Sequence, residues 1–538
     1  MLAPFDQLFW IGSRAFGRSG RILWFWSVPE PSWVGPGQDL GDIGVWRSRL
    51  RAGRKPVNSE IRELIIRMSI ATPLGGCKMS ANLPTLKHTI SVAALIDGSS
   101  WSRYQKLLTT LAAIAIIFDG FDIQILGFAI PSLIREWHVA RSAFGPVLAL
   151  GLAGMAAGGP LAGYFGDRFG RRVALIGCVG VFGLATIATA FVHSFWGLST
   201  LRLMTGMGTG GALPNATALA AEFAPLRRRP MAVKFTLVCL PLGGMLAGML
   251  AARILPTLGW RGLYAIGGLF PLLFVIGLSV ALPESPRFMA RQPAQWLRLA
   301  RLLTRFGHVT PLEAAFEDAA DDKTPQHALL RALFGPKLAR ETVGLWIAFF
   351  FCLGSIYLVF GWLPTMLTTR GLDLATASSG LAVYNLGGVF GILIWATLIP
   401  ILGSRGPLLS GALACAASAL AFLFIPVQVQ SGHMWLIVCL GINGLLANAV
   451  QTSMYALAAH VYPTGIRATG IAYSATLGRI GGLLSSLFGS SVIQAGAASY
   501  WVALAIAMLL ASAGLACVRN HYPAIGSPPK ALKLAASL

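Results

Sequence analysis

The chain has 538 residues, of which 55% are hydrophobic and only 12% are charged. A soluble domain carries about 25% charged residues, so this chain lacks the polar surface that a water-exposed fold of its length needs. Its net charge of +22 could serve nucleic-acid binding, but the Lys and Arg residues lie between apolar runs, where they are typical of the cytoplasmic ends of membrane spans. The composition therefore favours an integral membrane protein in a lipid bilayer, with no nucleic-acid partner.

The first 78 residues differ in character from the rest. They mix Arg, Trp, Gly and Pro without helical or strand periodicity. Their longest apolar piece, residues 22–28, is too short for the core of a signal peptide. Two interpretations stay open: a disordered cytoplasmic extension, or translation that begins at Met79. We favour the second, and we expect residues 1–106 to form a cytoplasmic N-terminal segment.

Twelve apolar runs follow, each near the roughly 20 residues that a helix needs to cross a bilayer. They lie at 107–133, 144–164, 172–192, 196–219, 232–255, 260–282, 341–366, 379–401, 407–427, 434–459, 466–494 and 498–518. This pattern predicts an all-α membrane protein with two six-helix bundles, 107–282 and 341–518. We expect a charged cytoplasmic linker at 283–340, which includes an amphipathic stretch at 293–306, and a cytoplasmic tail at 519–538.

The short loops predict the orientation. The even-numbered connections carry most of the loop arginines, namely Arg168, Arg171, Arg172, Arg227, Arg228, Arg229, Arg405 and Arg467, and the odd-numbered ones are poor in Lys and Arg. Positively charged loops stay in the cytoplasm. We therefore expect both termini and the linker to be cytoplasmic, in a multi-pass protein of the inner cell membrane.

Two carboxylates interrupt the first span. In Asp119-Gly120-Phe121-Asp122 the acidic residues are three apart and share one helix face. A charge near the bilayer centre costs about 2.5 kcal/mol or more, so such residues usually have a function. Burial and a neighbouring like charge both favour the protonated carboxyl, as a proton carrier requires. The alternative is a structural ion pair with an arginine of another helix.

A glycine- and arginine-rich loop joins the second and third spans. It reads Gly163-Tyr164-Phe165-Gly166-Asp167-Arg168-Phe169-Gly170-Arg171-Arg172. The glycines permit a tight turn, and the acidic residue can face the positive end of a neighbouring helix. The alternative, a cluster of topogenic charges, would not need this ordered spacing.

Further charges lie in two other spans. Arg202 and Glu222 fall near the outer and inner ends of the fourth span, and Arg479 lies about midway along the eleventh. A cation at that depth must face a cavity or a carboxylate, and the guanidinium fork suits a substrate carboxylate. A structural partner such as Asp119 or Asp122 is an equal alternative for Arg479.

The glycine pattern within the fourth span, residues 206–211, fits G-x-G-x-x-G, but no strand precedes it, so helix packing explains it better than a dinucleotide. No C-x-x-C pair occurs among the seven cysteines. We therefore expect no cofactor, no metal and no catalytic group.

The motifs together resemble the aromatic acid:proton symporters, a branch of the major facilitator superfamily. The resemblance covers roughly residues 93–518. It rests on the Asp-Gly-Phe-Asp of the first span, the loop at 163–172, Pro283-Glu284-Ser285-Pro286-Arg287, Trp362-Leu363-Pro364-Thr365, the segment at 462–470 and Gly478-Arg479.

The resemblance implies the major facilitator fold, two pseudo-symmetric bundles around a central cavity. It also implies proton coupling by Asp119 and Asp122, and a substrate path or charge network formed by Arg202, Glu222, Arg467 and Arg479. The cytoplasmic gate would comprise Gly163, Asp167, Arg168, Gly170, Arg171 and Arg172. One departure concerns the second half, where the equivalent loop, residues 401–406, keeps Arg405 but has no acidic residue.

The function that follows is proton-coupled import of a small aromatic carboxylate such as benzoate or hydroxybenzoate. Its partners would be that carboxylate and protons. We expect aromatic residues, with Phe118, Phe121, Trp362 and Tyr384 as candidates, to line the cavity. Two alternatives stay open: a transporter of the same fold for other organic acids, sugars or drugs, and a membrane sensor that binds its ligand without transport.

Overall fold

The computed structural model describes residues 89–308, 315–317, 332–336, 338–425, 430–463 and 466–524. The predictions for the first 78 residues, including a start at Met79, lie outside these ranges. So does most of the acidic part of the linker.

The described part of the chain is almost entirely helical. Its helices are α1 (Val92–Asp97), α2 (Arg103–Trp137), α3 (Phe144–Phe169), α4 (Arg171–Thr189), α5 (Phe195–Phe223), α6 (Arg229–Ala281), α7 (Pro286–Ala290), α8 (Trp296–Phe306), α9 (Ala339–Thr369), α10 (Leu374–Leu402), α11 (Arg405–Ala421), α12 (Gln430–Val461), α13 (Arg467–Gln494) and α14 (Ala497–Cys517). Two three-residue strands, β1 (Thr89–Ser91) and β2 (Ala315–Glu317), pair in parallel. The sequence did not predict these strands, because three paired residues leave no periodicity to detect.

Nine helices in the described ranges are long and apolar enough to cross a membrane. One of them, α6, has 53 residues and a non-helical Gly259, so at 1.5 Å per residue it supplies two spans across a core about 30 Å thick. Two more helices, α5 and α13, have 29 and 28 residues, which is enough length to cross. Twelve spans result, and the predicted twelve-helix fold is confirmed.

The spans pack as two halves. In the first half α2 packs on α6 and α3 packs on α5, and in the second half α9 packs on α13 and α10 packs on α12. Three helix pairs join the halves: α2 with α9, α3 with α13, and α6 with α10. We call the side of the bundle that holds the connections at 169–171, 223–229 and 402–405 the Arg-rich end, and the other side the opposite end.

The two halves touch closely between mid-membrane and the opposite end. A Cβ atom at Gly127 would lie 2.1 Å from the carbonyl oxygen of Phe360, and one at Gly145 would lie 2.8 Å from the carbonyl oxygen of Leu487. Only glycine permits backbones to approach this closely. The bundle is therefore tightly closed on this side.

The linker begins on the first half. In α8 the apolar residues Leu299, Leu302, Leu303 and Phe306 are buried in the core of the first half. Arg298, Arg301 and Arg305 on the other face are exposed. The amphipathic helix expected at 293–306 therefore exists as α8, and its apolar face is covered by the bundle.

Candidate functional site

Asp122 is held in a buried network in the first half. Its Oδ1 accepts a short hydrogen bond from the hydroxyl of Thr186 on α4. Its Oδ2 lies 3.4 Å from Nη1 of Arg202 on α5. The same arginine donates to two main-chain oxygens of α2, that of Asp122 at 3.0 Å and that of Ile123 at 2.9 Å. Asp122 and Arg202 thus form the kind of buried ion pair that needs several hydrogen bonds to be stable.

Asp119 lies one helical turn away and has different surroundings. The residue is 1% exposed, and its Oδ1 has no hydrogen-bond partner in the structure. None of the ion pairs within the described ranges includes it. Buried polar atoms in native proteins are nearly always satisfied, so an unsatisfied carboxylate oxygen needs a functional explanation.

Arg479, on α13, is the cation whose charge acts on Asp119. The guanidinium is close enough to interact electrostatically with the carboxyl of Asp119 and with the hydroxyl of Tyr357. Its Nη1 lies 3.7 Å from the position that a Cβ atom at Gly159 would take, so it faces α3 across the boundary between the halves. Arg479 is half-buried and forms no ion pair within the described ranges. The guanidinium can therefore receive a carboxylate ligand when the halves move apart.

A small cavity lies between the halves beside this cluster. It is lined in the first half by Asp122, Arg202 and Thr209, and in the second half by Tyr357, Phe360 and Ser486. Its volume is about 20 Å³, which holds about one water molecule. A molecule the size of benzoate does not fit until the halves move apart.

The aromatic residues of the cavity are not the four that the sequence suggested. Trp362 and Tyr384 are 0% and 1% exposed in the core of the second half, and the indole of Trp362 donates to the carbonyl of Ser486 at 3.0 Å. Phe118 packs on Phe274, with ring centroids 5.3 Å apart, and Phe121 is 8% exposed in the core. The sequence could not separate these residues from Tyr357 and Phe360, since the packing of the halves alone decides which aromatic faces the gap.

A reciprocal amide pair joins the halves near the cavity. Gln124 Nε2 donates to Asn385 Oδ1 at 3.0 Å, and Asn385 Nδ2 donates to Gln124 Oε1 at 2.7 Å. Both residues are buried. Two polar side chains inside apolar runs were a detectable signal that the sequence reasoning did not use.

The loop predicted as a gate is bound within the first half. Asp167 pairs with Arg171 at 2.7 Å and is largely exposed, and Arg168 donates to the hydroxyl of Tyr164 at 2.8 Å. Arg172 donates its main-chain N–H to Glu284 Oε1 at 3.0 Å. Gly170, with φ +105°, makes the turn, and a Cβ atom at Gly163 would meet no other described residue within 4 Å outside its own helix.

The predicted charge network divides into two places. Arg202 lies toward the opposite end of α5, but its guanidinium reaches Asp122 in the middle of α2, and Arg479 lies near the middle of α13. Glu222 and Arg467 lie at the Arg-rich end. Glu222 accepts a short hydrogen bond from the hydroxyl of Ser285. Arg467, about 18 Å along α13 from Arg479, is exposed and donates to the main-chain oxygen of Tyr462 at 3.4 Å. The structure therefore does not bring these four residues together.

Comparisons with known proteins agree with this architecture. The family model described as Major Facilitator Superfamily matches residues 112–486. A gallate transporter of Pseudomonas putida is 33% identical over 449 residues, which are 83% of this chain and 98% of the relative. The 4-hydroxybenzoate transporter PcaK of Acinetobacter baylyi is 31% identical over 421 residues, 77% of this chain and 90% of the relative.

Solved structures show the same fold. A D-xylose–proton symporter superposes with a TM-score of 0.61 and 20% identity over 78% of this chain and 98% of that one. An inward-open form of the xylose transporter XylE from E. coli superposes with a TM-score of 0.61 and 19% identity, over 80% of this chain and 99% of that one.

Twelve spans in two halves around a charged cavity define a membrane transporter, and the chain belongs to the Major Facilitator Superfamily. It is a transporter and not an enzyme. Within the superfamily its place is the aromatic acid:proton symporter family, as the motifs of the first span, the 163–172 loop and the eleventh span indicated.

Proposed function

We propose that this chain imports small aromatic carboxylic acids together with protons across the inner membrane, with both termini in the cytoplasm. The observation that carries the proposal is Asp119, a buried mid-membrane carboxylate with an unpartnered oxygen that interacts electrostatically with the half-buried cation Arg479. A carboxylate without hydrogen-bond donors is poorly stabilised in its charged form and can accept a proton. The ionisable groups of other spans that interact with it electrostatically are Cys178 on α4, Tyr357 on α9 and Arg479 on α13, and they come from both halves.

The substrate class is supported by two features. The named relatives transport gallate and 4-hydroxybenzoate, both of which are aromatic rings with one carboxylate. The cavity offers the rings of Tyr357 and Phe360 for the aromatic face and hydroxyls on Thr209 and Ser486. Arg479, which interacts with the hydroxyl of Tyr357, would bind the carboxylate once the halves move apart. Aromatic pairs and a bidentate guanidinium are the usual means of binding such a molecule.

The two carboxylates of the first span have different roles in this proposal. Asp122 holds Arg202 in place and so stabilises the packing of the first half, and Asp119 carries the proton. Protonation of Asp119 removes the charge that competes with the substrate carboxylate for Arg479. The loaded cluster is then close to neutral and can change its exposure from one side of the membrane to the other, which a charged cluster would do at high cost.

Orientation follows from the loop charges, which assign the Arg-rich end to the cytoplasm. The closed, opposite end then faces outward, and the contacts at Gly127 and Gly145 and the Gln124–Asn385 pair form the external closure. Asp167, Arg168 and Arg171 belong to the cytoplasmic gate, which Gly163, Gly170 and Arg172 shape. Residues 283–340 connect a first bundle at 107–282 to a second at 341–518.

Uptake into proteoliposomes tests the proposal. Purified protein is reconstituted, an inward proton gradient is imposed, and labelled 4-hydroxybenzoate, gallate and benzoate are each supplied, with xylose as a non-acid control. We expect accumulation of at least one aromatic acid, its collapse with a proton ionophore, and no accumulation of xylose. Binding of these acids without uptake would identify a sensor. Neither binding nor uptake, with correctly folded protein, would refute the substrate class.

A further inference from the structure

The segment that follows the last span lies across the Arg-rich end of the second half. We call residues 519–523 the C-terminal strap. The main-chain N–H groups of Arg519 and Asn520 both donate to the carboxylate of Glu341, at 2.9 Å and 3.4 Å. Glu341 is 4% exposed and lies in the first turn of α9. This tie binds the strap to the beginning of the seventh span.

The strap also binds the connection between α10 and α11, the loop that has lost the acidic residue of its first-half equivalent. Ser404 donates its N–H to the carbonyl of Tyr522 at 2.9 Å, and Tyr522 donates its N–H to Ser404 Oγ at 2.8 Å. Gly403 precedes them with φ +77°, and a Cβ atom there would lie 2.9 Å from the carbonyl oxygen of Tyr522. The strap and this loop are therefore built to fit each other.

The first half has a corresponding arrangement. Its loop turns at Gly170, also with positive φ, and a Cβ atom there would lie 2.2 Å from Oε2 of Glu284. Glu284 accepts from the N–H of Arg172, and it belongs to 283–287, the segment that follows the sixth span. The adjacent Ser285 bonds to Glu222 at the end of the fourth span.

The second half repeats each of these positions with different chemistry. The strap follows the twelfth span, just as residues 283–287 follow the sixth. Tyr522 binds the second-half loop at Ser404, and Glu284 binds the first-half loop at Arg172. The ring of Tyr522 lies 4.8 Å from the ring of His460 at the end of the tenth span, where the first half has Ser285 against Glu222. The carboxylates of Glu284 and Glu222 in the first half thus correspond to the main-chain carbonyl of Tyr522 and to His460 in the second.

We propose that the strap clamps the 401–406 loop of the second half as residues 283–287 clamp the 163–172 loop of the first, that it positions α9, α10 and α12 for the transport cycle, and that protonation of His521 releases it. This inference rests on the proposed transport function. Its regulatory consequence is that cytoplasmic acidification, which proton-coupled import itself produces, weakens the clamp on the second half.

The contacts of His521 determine how a proton would act. Its Nε2 lies 3.3 Å from the carbonyl oxygen of Leu515, which can only accept, so the neutral ring carries its hydrogen on Nε2. Its Nδ1 lies 3.2 Å from Ser404 Oγ, whose hydroxyl can donate to it while accepting from Tyr522. With a second proton on Nδ1, the ring would become the donor in this contact, and Ser404 Oγ would have to accept instead of donating.

The surroundings of His521 shift its pKa in both directions. Burial lowers the pKa of His521, and nearby Arg405 lowers it further, whereas the carbonyls of Leu515 and Val518 and the carboxylate of Glu341 raise it in part. The net pKa lies below the ordinary value of 6.5. Docking of the strap is therefore fully favoured above pH 6.5 and weakens as the pH falls through the lowered pKa.

Two deletions test the positioning role. Removal of residues 525–538 retains the strap, and removal of 519–538 deletes it. We expect the shorter deletion to transport like the full chain, and the longer one to lose about tenfold or more of the initial uptake rate, a loss that a few buried hydrogen bonds can account for. Equal rates in the two deletions, with the protein folded, would overturn the positioning role.

The His521→Gln variant tests release by acid without removing the strap, since glutamine can donate and accept but cannot be charged. Substrate exchange is measured with equal pH on both sides, from pH 7.5 to 5.5, so that no gradient contributes. We expect the wild type to lose at least about threefold more activity than His521→Gln over this range, because only the wild-type ring can take up the proton that weakens docking. His138→Asn, at the opposite end, is the control and should follow the wild type. Identical profiles for wild type and His521→Gln would overturn the acid release.

A spectroscopic measurement keeps the inference testable if no transport is detected. A nitroxide is attached at Ala524→Cys in a chain whose exposed Cys517 is replaced by serine. We expect the label to become more mobile between pH 7.5 and 5.5 in the wild type and to remain immobile in His521→Gln. A mobile label at every pH would show that the strap is undocked, whatever the substrate proves to be.

Discussion

Asparagine substitutions at the two carboxylates of the first span should differ in their effect on the stability of the protein. Asp119→Asn removes a charge from a buried oxygen that has no hydrogen-bond donor. We therefore expect its stability to stay the same or to rise. Asp122→Asn breaks the 3.4 Å ion pair with Arg202 and leaves that guanidinium buried with only main-chain acceptors.

The magnitude for Asp122→Asn follows from these contacts. Removal of one partner of a buried ion pair costs about 3–5 kcal/mol. Arg202 keeps its bonds to the carbonyls of Asp122 and Ile123, so we expect the lower limit, about 3 kcal/mol. For transport, a gradient of one pH unit supplies about 1.4 kcal/mol per proton. A symporter that moves one proton with each monoanion should therefore accumulate its substrate about tenfold, and Asp119→Asn should not accumulate it.

The assay combines thermal unfolding of the purified variants with uptake and counterflow in proteoliposomes. Asp119→Asn should unfold like the wild type, show no proton-driven accumulation and retain counterflow, because exchange needs no net proton movement. Asp122→Asn should unfold at a lower temperature. Accumulation by Asp119→Asn equal to that of the wild type would refute the assignment of the proton site. Wild-type stability of Asp122→Asn would refute the interpretation of its ion pair.

Three further predictions concern the cavity and the closed end. Tyr357→Phe removes one hydroxyl from the cavity wall. It should weaken the binding of hydroxylated aromatic acids by up to about tenfold and leave the binding of benzoate unaffected. Competition of each acid against labelled substrate measures the change in affinity. Gln124→Leu leaves the Oδ1 of Asn385 without a donor, while its Nδ2 still donates to the carbonyl of Leu381. The loss costs about 1–3 kcal/mol, and the substitution should raise the accessibility of an engineered cysteine in the cavity to an external thiol reagent. Gly127→Ala places a methyl group against the carbonyl of Phe360 and should abolish uptake by preventing closure, whereas Gly177→Ala, which has open space around it, should transport normally. Uptake by Gly127→Ala at the wild-type rate would contradict the closure.

Much of the site was visible in the sequence because polar residues in lipid-spanning helices are costly and therefore informative. Asp119, Asp122, Arg202 and Arg479 could each be selected from single apolar runs, without any knowledge of their neighbours. Gln124 and Asn385 gave the same signal. Tyr357 and Phe360 gave none, because aromatic residues occur throughout such helices.

The sequence by itself determined the class, the twelve spans and the family, since insertion into lipid depends on the hydrophobicity of each segment and the motifs are local strings. Only the tertiary structure decided which carboxylate is paired with Arg202 and which has an unsatisfied oxygen. It also separated Glu222 and Arg467 from the mid-membrane cluster and brought the strap onto the altered 401–406 loop. The physical reason is the same in each case: a partner's identity depends on contacts between residues as much as 261 positions apart, and the local sequence contains no record of them.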